Sequence, residues 1–231
     1  SLGDLKTAFM QTDKIEGERP KGKLYAEMPP GGIPLADGSW VPEGSLIQLN
    51  TAVYGLVNAP SAWRKTLVRA IEKLGYRRSC YDPCIFCLMS KDGPIGHILI
   101  EVEDLASQGT RQHQENMSTL RKIFKFGKWK SIYKDEGDYA GRTIIQRVDY
   151  SFKIHQAKFI KERLKLIEIP KGRKSKKKEE ITPGERTQLR AVLGGINWVQ
   201  RETRPDQSGN ASIGMSRILK ATVQDLCDAN T

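Results

Sequence analysis

Histidine and cysteine are scarce in this sequence, and several common signatures of enzymatic function are missing from it. Only three of the 231 residues are histidines, and they lie far apart, so a histidine-based catalytic site has no support. Four cysteines are too few to indicate a disulfide framework in a chain of this length. We find no glycine-rich phosphate loop and no serine nucleophile elbow. These absences direct attention to the acidic and basic residues.

Long apolar runs are also missing. No run approaches the roughly 18 residues that indicate a membrane-spanning helix. The N-terminal residues have the character of neither a signal peptide nor a transit peptide. We therefore expect an intracellular protein, cytoplasmic or nuclear, that has no membrane partner.

Charge is unevenly distributed along the chain. The formal net charge of +11 divides into −1 for residues 1–110 and +12 for residues 111–231. A basic half beside a neutral half with clustered acids suggests that the protein binds a polyanion. The densest basic run is Lys171–Glu180, which we predict to be a disordered linker, with nucleic-acid contact and a nuclear signal as alternatives. Its candidate nucleic-acid-binding residues are Lys174, Lys176, Lys177 and Lys178.

The most informative stretch is Gly96–Gly109. Its apolar run Ile98–Ile100 predicts a buried strand that leads directly into three acids, Glu101, Glu103 and Asp104. Adjacent carboxylates at the end of a strand need water, a basic partner or a metal ion. Mg²⁺ is typically held by one or two carboxylates together with substrate phosphates. The alternative is a solvated acidic turn.

Hydrophobic periodicity predicts a mixed α+β protein. Helices are expected at 60–74 and 112–125, over Phe159–Ile167 before Pro170, and from Thr182 to about residue 200. Strands are expected at 2–10 (passing into a turn or helix start), 23–28, 45–49, 84–89, 96–102, 139–146 and 152–155. The Asp92-Gly93 pair predicts a hairpin between the strands at 84–89 and 96–102.

Five blocks resemble the copia-type LTR retrotransposon reverse transcriptase domain, and they occur in that family's order across nearly the whole chain. They are Asp4-Leu5-Lys6-Thr7-Ala8-Phe9, Tyr54-Gly55-Leu56-Val57-Asn58-Ala59-Pro60-Ser61-Ala62-Trp63, Asp82-Pro83-Cys84-Ile85-Phe86, Glu101-Val102-Glu103-Asp104 and Thr203-Arg204-Pro205-Asp206. Any single block is weak evidence. Their combination is specific.

The resemblance implies a right-hand polymerase palm, an antiparallel sheet with helices on one face, followed by a mainly helical thumb, with the fingers largely missing. The implied domains are a palm at 1–155 with partial fingers loops at 11–50, and a thumb at 156–206 with a basic linker at 171–181. Residues 207–231 are expected to begin the connection toward a following module.

The resemblance also implies an RNA-directed DNA polymerase that uses two Mg²⁺ ions for nucleotidyl transfer. By the family pattern, Asp4, Glu103 and Asp104 are the catalytic metal ligands. Phe9 matches the steric gate that rejects a ribose 2′-hydroxyl, and Tyr54 and Gly55 line the nucleotide pocket. The implied partners are an RNA template, a DNA primer and dNTPs, within a polyprotein that carries integrase and ribonuclease H.

Several residues depart from the family pattern. Glu103 stands where the family has aspartate, Glu101 where it has tyrosine and Asn58 where it has glutamine. The chain also starts almost at Asp4, without the family's preceding fingers segment. These departures predict a truncated or degenerate copy. The alternatives are a non-catalytic, basic nucleic-acid-binding remnant and a basic interaction module of other ancestry.

The palm hypothesis makes a geometric prediction. The strand that holds Asp4 should pair beside the hairpin arm that ends at Asp104, with the two carboxylates within about 6 Å, the reach of two bridged ions. A Cα separation above roughly 15 Å would contradict it.

Overall fold

The computed structural model describes residues 1–14 and 23–230 of the chain. They divide into two units, Ser1–Ser131 and Ile132–Thr231, each with its own hydrophobic cluster. The units contain antiparallel sheets and α-helices, so the predicted α+β class is confirmed. The part of the predicted fingers loops at 15–22 lies outside the described residues. The palm, thumb and connection boundaries stay predictions.

A six-stranded antiparallel sheet forms the centre of the first unit. Across the sheet its strands are β10 (Phe126–Lys130), β1 (Leu2–Leu5), β9 (Asp104–Gly109), β8 (Gly93–Glu101), β7 (Ile85–Ser90) and β6 (Tyr76–Arg78). Two short ladders accompany it, β2 (Leu24–Glu27) with β5 (Leu46–Leu49) and β3 (Ile33–Pro34) with β4 (Trp40–Val41). Because β1 lies between β9 and β10, the first residues of the chain reach the interior of the sheet.

Two helices pack on one face of this sheet, α1 (Ala59–Lys73) and α2 (Arg111–Ile123). Their apolar residues and the inward-facing residues of the strands form one cluster, which includes Leu67, Ile71, Phe86, Ile98, Leu105, Met117 and Leu120. Both helices were predicted within two residues of these bounds. A proline in the first turn and a glycine after the last turn explain the accuracy for α1. Gly75 adopts the left-handed conformation, with φ +90°.

A buried histidine fixes α2 against the sheet. His113 is fully buried, and its Nδ1 atom lies 2.7 Å from the Tyr76 hydroxyl. A Cβ atom at Gly96 or at Gly109 would come within 2.6 Å of its side chain, so both strands need glycine there. Burial, more than the nearby N-terminal ammonium and His97, lowers the pKa of His113 to about 4. This histidine therefore packs as a neutral core residue.

The second unit combines a three-stranded antiparallel sheet with five helices in its described part. The strands are β11 (Glu136–Tyr139), β12 (Arg142–Gln146) and β13 (Phe152–His155), and the helices are α3 (Ala157–Arg163), α4 (Lys171–Lys174), α5 (Pro183–Glu202), α6 (Ser208–Arg217) and α7 (Val223–Asp228). Thr182 and Glu185 form a capping box at the start of α5. Leu189 and Leu193 of α5 share a core with Leu226 of α7.

Two sequence predictions in this unit were too long. The strand predicted at 139–146 begins only at Arg142, because Ala140 (φ +47°) and Gly141 (φ +76°) form the turn between β11 and β12. The helix predicted through Ile167 ends at Arg163. Ile167 instead lies buried in the core of this unit, and its backbone pairs with the side chain of Asn230. This contact with a residue far along the chain replaces the last helical turn.

The prediction of a disordered linker at Lys171–Glu180 was wrong, since this segment begins with helix α4. Arg173 organises this segment by binding Glu185 at 3.0 Å, Glu179 at 2.5 Å and the Glu180 carbonyl at 2.8 Å. An isolated β-bridge joins Glu180 to Thr222. The basic run is ordered because acids within it and just after it form ion pairs with its central arginine.

Candidate active site

Carboxylates from three neighbouring strands line up across the middle of the main sheet. Asp4 on β1 lies directly opposite Asp104 on β9, and Asp104 lies opposite Glu101 on β8. Opposed residues in an antiparallel pair have Cα atoms about 4.5–5.5 Å apart and project to the same face. The predicted proximity of Asp4 to the arm that carries Asp104 is therefore confirmed, although this arm begins at Asp104 and does not end there.

The acids occupy the face of the sheet opposite the helices. Leu5, Ile100 and Leu105 are buried in the core, and strand alternation turns Asp4, Glu101 and Asp104 the other way. Like charges placed opposite each other destabilise a sheet. On the other side of Asp4 the opposed residue is Lys128 of β10, which supplies a positive charge to the row.

The turn between β8 and β9 is held firmly by the surrounding unit. It consists of Val102 and Glu103, and Val102 adopts φ +52°, a costly conformation for a β-branched residue. The indole Nε1 of Trp63 donates a 2.7 Å hydrogen bond to the Val102 carbonyl. The Leu5 amide donates a 2.8 Å bond to the Glu103 carbonyl.

This role of Trp63 was not predicted from the sequence, where the residue falls only within a family block and the predicted helix at 60–74. Trp63 is almost completely buried, and its ring meets Phe124 edge-on at 5.3 Å. A buried tryptophan usually finds an acceptor for its N–H group. That rule signalled that a partner existed, but only the fold identifies the partner as the acidic turn.

Three of the predicted site residues form a continuous set of contacts. The rings of Phe9 and Tyr54 lie 4.7 Å apart, and the Tyr54 hydroxyl donates a 2.5 Å hydrogen bond to Glu103 Oε1. This bond is the largest cause that raises the pKa of Tyr54 to about 12, followed by partial burial and by the charges of Glu103 and Asp4. Tyr54 is therefore a protonated donor at physiological pH. Gly55 follows with φ +95°, a conformation that favours glycine.

The acids offer hard oxygen ligands, which suit Mg²⁺. Asp4 and Asp104 fit that role, since they lie opposite each other on one face. Glu103 is not gathered with them, because its carboxylate contacts Tyr54. Within residues 1–14 and 23–230, no group of three or more His, Cys, Asp or Glu residues is arranged to hold a metal ion. Of the three predicted ligands, Asp4 and Asp104 thus lie together on one face of the sheet, and Glu103 does not complete a group of three with them.

The predicted nucleic-acid-binding lysines belong to the second unit. Lys174 lies in α4, Lys176 pairs with Glu179 at 3.0 Å, and all of the four, Lys174, Lys176, Lys177 and Lys178, are exposed. A further basic surface lies in the first unit. Arg64, Lys65 and Arg69 of α1 line a shallow pocket of about 260 Å³ together with Arg78 of β6. Asp13 pairs with Arg69 at 3.0 Å.

Comparison with known proteins agrees with these features. Residues 2–177 match the family described as "Reverse transcriptase (RNA-dependent DNA polymerase)". A Saccharomyces cerevisiae protein named "Putative transposon Ty5-1 protein YCL074W" is 24% identical over 225 residues, which cover 94% of this chain and 69% of that protein. The chain belongs to the reverse transcriptase family. It is a retrotransposon reverse transcriptase domain, as its sequence blocks predicted.

Across residues 1–14 and 23–230, no helix combines the length and the apolar composition needed to span a bilayer. Localisation to the cytoplasm or the nucleus stays a prediction.

Proposed function

We propose that this chain is the palm and thumb of a copia-type RNA-directed DNA polymerase, which extends a DNA primer on an RNA template with dNTPs. The observation that carries the proposal is the register of the main sheet, in which Asp4 stands opposite Asp104. A metal-dependent polymerase needs carboxylates that are distant in sequence but adjacent in space. Strand β1 meets this requirement by lying beside β9.

Each predicted residue has a role in this proposal. Asp4 and Asp104 would hold Mg²⁺, and Glu103 would be the third ligand once its carboxylate moves from its contact with Tyr54. Two such ions, when bound, activate the primer 3′-hydroxyl and neutralise charge on the triphosphate. Phe9 excludes a ribose 2′-hydroxyl, and Tyr54 with Gly55 lines the nucleotide pocket, in keeping with the ring contact between Phe9 and Tyr54.

The nucleic acid would be held through its phosphates. Residues 111–231 carry a net charge of +12, and the exposed lysines at 174 and 176–178 add a dense local cluster. The basic pocket on α1 and β6 offers a second phosphate-binding surface in the first unit. Such contacts give affinity with little sequence preference. In its genomic context we place this domain in a polyprotein with integrase and ribonuclease H.

One observation favours a second candidate function, a nucleic-acid-binding remnant without catalysis. The Glu103 carboxylate is bonded to Tyr54 and does not lie with Asp4 and Asp104 in a three-acid group. The two candidates differ in whether the carboxylates bind a divalent cation. Binding of nucleic acid alone does not separate them.

The experiment that tests polymerase function is primer extension on an RNA template with Mg²⁺ and dNTPs, comparing the unchanged chain with Glu103→Asp. We expect the variant to extend at least about tenfold faster, because the glutamate displaces the ligand by roughly 1 Å and errors of that size can cost about 10²-fold. Glu43→Asp, an exposed glutamate in a loop, is the matched control and should have no effect. Extension by neither protein would favour the remnant.

A separate prediction concerns the lysine cluster. Replacing Lys174, Lys176, Lys177 and Lys178 by glutamine should weaken binding of single-stranded nucleic acid and reduce the slope of log K against log salt by about 2–3, since each phosphate contact contributes about 0.7. Fluorescence anisotropy at several salt concentrations measures both quantities. Lys23→Gln with Lys91→Gln serves as the control. An unchanged slope in the four-lysine variant would show that the cluster is a spacer.

A further inference from the structure

The side chain of Glu103 has a specific partner other than the predicted metal site. Its Oε1 atom accepts the 2.5 Å hydrogen bond from the Tyr54 hydroxyl, across 49 residues of sequence. Tyr54 is half exposed and rests on the ring of Phe9, so the contact lies in the predicted nucleotide pocket. The carboxylate is therefore turned toward the residues expected to meet the nucleotide.

The backbone at this point cannot redirect the carboxylate easily. Trp63 holds the carbonyl of Val102, and the Leu5 amide holds the carbonyl of Glu103. With both carbonyls of the turn fixed, the length and torsions of the side chain decide where the carboxylate lies. Glutamate has one more carbon–carbon bond than aspartate, and because the chain zigzags its carboxylate lies roughly 1 Å farther from the same Cα. Contact with Tyr54 is thus tied to the glutamate that distinguishes this chain from its family pattern.

Tyr54 and a divalent cation would compete for the carboxylate of Glu103. A hydrogen bond from a neutral hydroxyl to a carboxylate is among the stronger hydrogen bonds in proteins. A divalent cation would draw the same carboxylate toward Asp4 and Asp104, which lie opposite each other on β1 and β9. Among the described residues Glu103 does not form a metal-binding group with Asp4 and Asp104, so its carboxylate would have to move to join them. The hydrogen bond from Tyr54 to Oε1 restrains that movement.

We propose that Tyr54 is a positioning residue that holds Glu103 in the nucleotide pocket, so that it opposes recruitment of this carboxylate to a divalent cation at Asp4 and Asp104. The inference rests on the proposed function, because it presumes a cation at those two aspartates. It differs from an ordinary outer-shell role, in which a hydrogen bond orients a ligand for the metal and strengthens metal binding. The two roles predict opposite signs for the effect of removing the hydroxyl.

The test is the affinity of the whole chain for Mn²⁺, measured by electron paramagnetic resonance of the free ion. Tyr54→Phe keeps the ring contact with Phe9 and removes only the donor. We expect it to bind Mn²⁺ about fivefold more tightly. This is the effect of losing one hydrogen bond to a charged group, reduced because the contact is partly exposed to solvent. Tyr81→Phe, at a side chain that is 96% exposed, should bind like the unchanged protein.

Ultraviolet difference spectra supply a second readout. Adding Mn²⁺ to the unchanged protein and to Tyr81→Phe should perturb tyrosine absorbance as Tyr54 loses its carboxylate partner, and Tyr54→Phe should lack that signal. Unchanged affinity in Tyr54→Phe, or a loss of 10–100-fold as expected for an orienting hydrogen bond, would overturn the inference.

A further variant separates this inference from the proposed function. If Asp104→Asn abolishes Mn²⁺ binding while Tyr54→Phe leaves it unchanged, the metal site stands and only the role of Tyr54 fails. If Asp104→Asn binds Mn²⁺ as tightly as the unchanged protein, the ion lies elsewhere, and both proposals are overturned.

Discussion

Asp4→Asn and Asp104→Asn are each expected to reduce Mg²⁺-dependent primer extension by about 10³-fold or more. The two side chains are opposed on neighbouring strands, and each substitution removes a full negative charge without changing the shape of the side chain. A metal-assisted transition state loses several kcal/mol when its ion is lost, and about 4 kcal/mol corresponds to 10³-fold in rate. The measurement is the rate of nucleotide addition at saturating primer and template.

The melting temperature of each variant distinguishes a loss of catalysis from a loss of folding. Neutralising Asp4 or Asp104 removes the repulsion between their like charges, while Asp4→Asn also loses its attraction to Lys128, so the melting temperature should change little. Asp92→Asn, at an exposed residue in the turn between β7 and β8, is the matched control and should preserve both extension and melting temperature. Full extension by Asp4→Asn and Asp104→Asn would contradict the assignment of this pair as metal ligands.

Trp63→Ala is expected to lower the free energy of unfolding of the first unit by about 3–5 kcal/mol, the usual cost of removing a large buried aromatic side chain. Trp63 is almost fully buried, packs edge-on against Phe124 and bonds the Val102 carbonyl. Trp63→Phe should cost less, about 1–3 kcal/mol, because it keeps an aromatic ring but leaves that carbonyl without its donor. Urea unfolding followed by circular dichroism measures both values.

The control for Trp63 is another tryptophan of the same unit. Trp40 on β4 is 58% exposed, so Trp40→Ala should change the free energy of unfolding by no more than about 0.5 kcal/mol. An effect of Trp63→Ala as small as that of Trp40→Ala would contradict the view that α1 anchors the acidic turn through this residue.

Local signals in the sequence were sufficient for α1 and for the hairpin of β7 and β8, but β9 and β10, the two strands that flank β1, were not predicted. Helix α1 was predictable because Pro60 and Gly75 mark its ends and its apolar residues recur at helical spacing. The hairpin of β7 and β8 followed from Asp92-Gly93. Each of these signals depends only on residues that are close in sequence, so it can be recognised without knowing the tertiary structure.

The same reasoning failed where a distant contact outweighed local preference. Ile167 continues the helical spacing of α3 but is buried beside Asn230, 63 residues away, as part of another packing arrangement. The basic run around Arg173 was predicted to be disordered, because the sequence shows that acids are nearby but not that they contact Arg173. Its ion pairs with Glu179 and Glu185 depend on how α4 and α5 meet.

The sequence by itself determined the family, the alternation of strands and helices and the identity of the acidic residues, because these depend on residue order and short-range periodicity. Only the tertiary structure decided which of those residues touch. It places Asp4 opposite Asp104, and it forms the hydrogen bonds from Trp63 to the Val102 carbonyl and from Tyr54 to the Glu103 carboxylate. These contacts span tens of residues and depend on strand order and on the direction of each side chain, which no local pattern specifies.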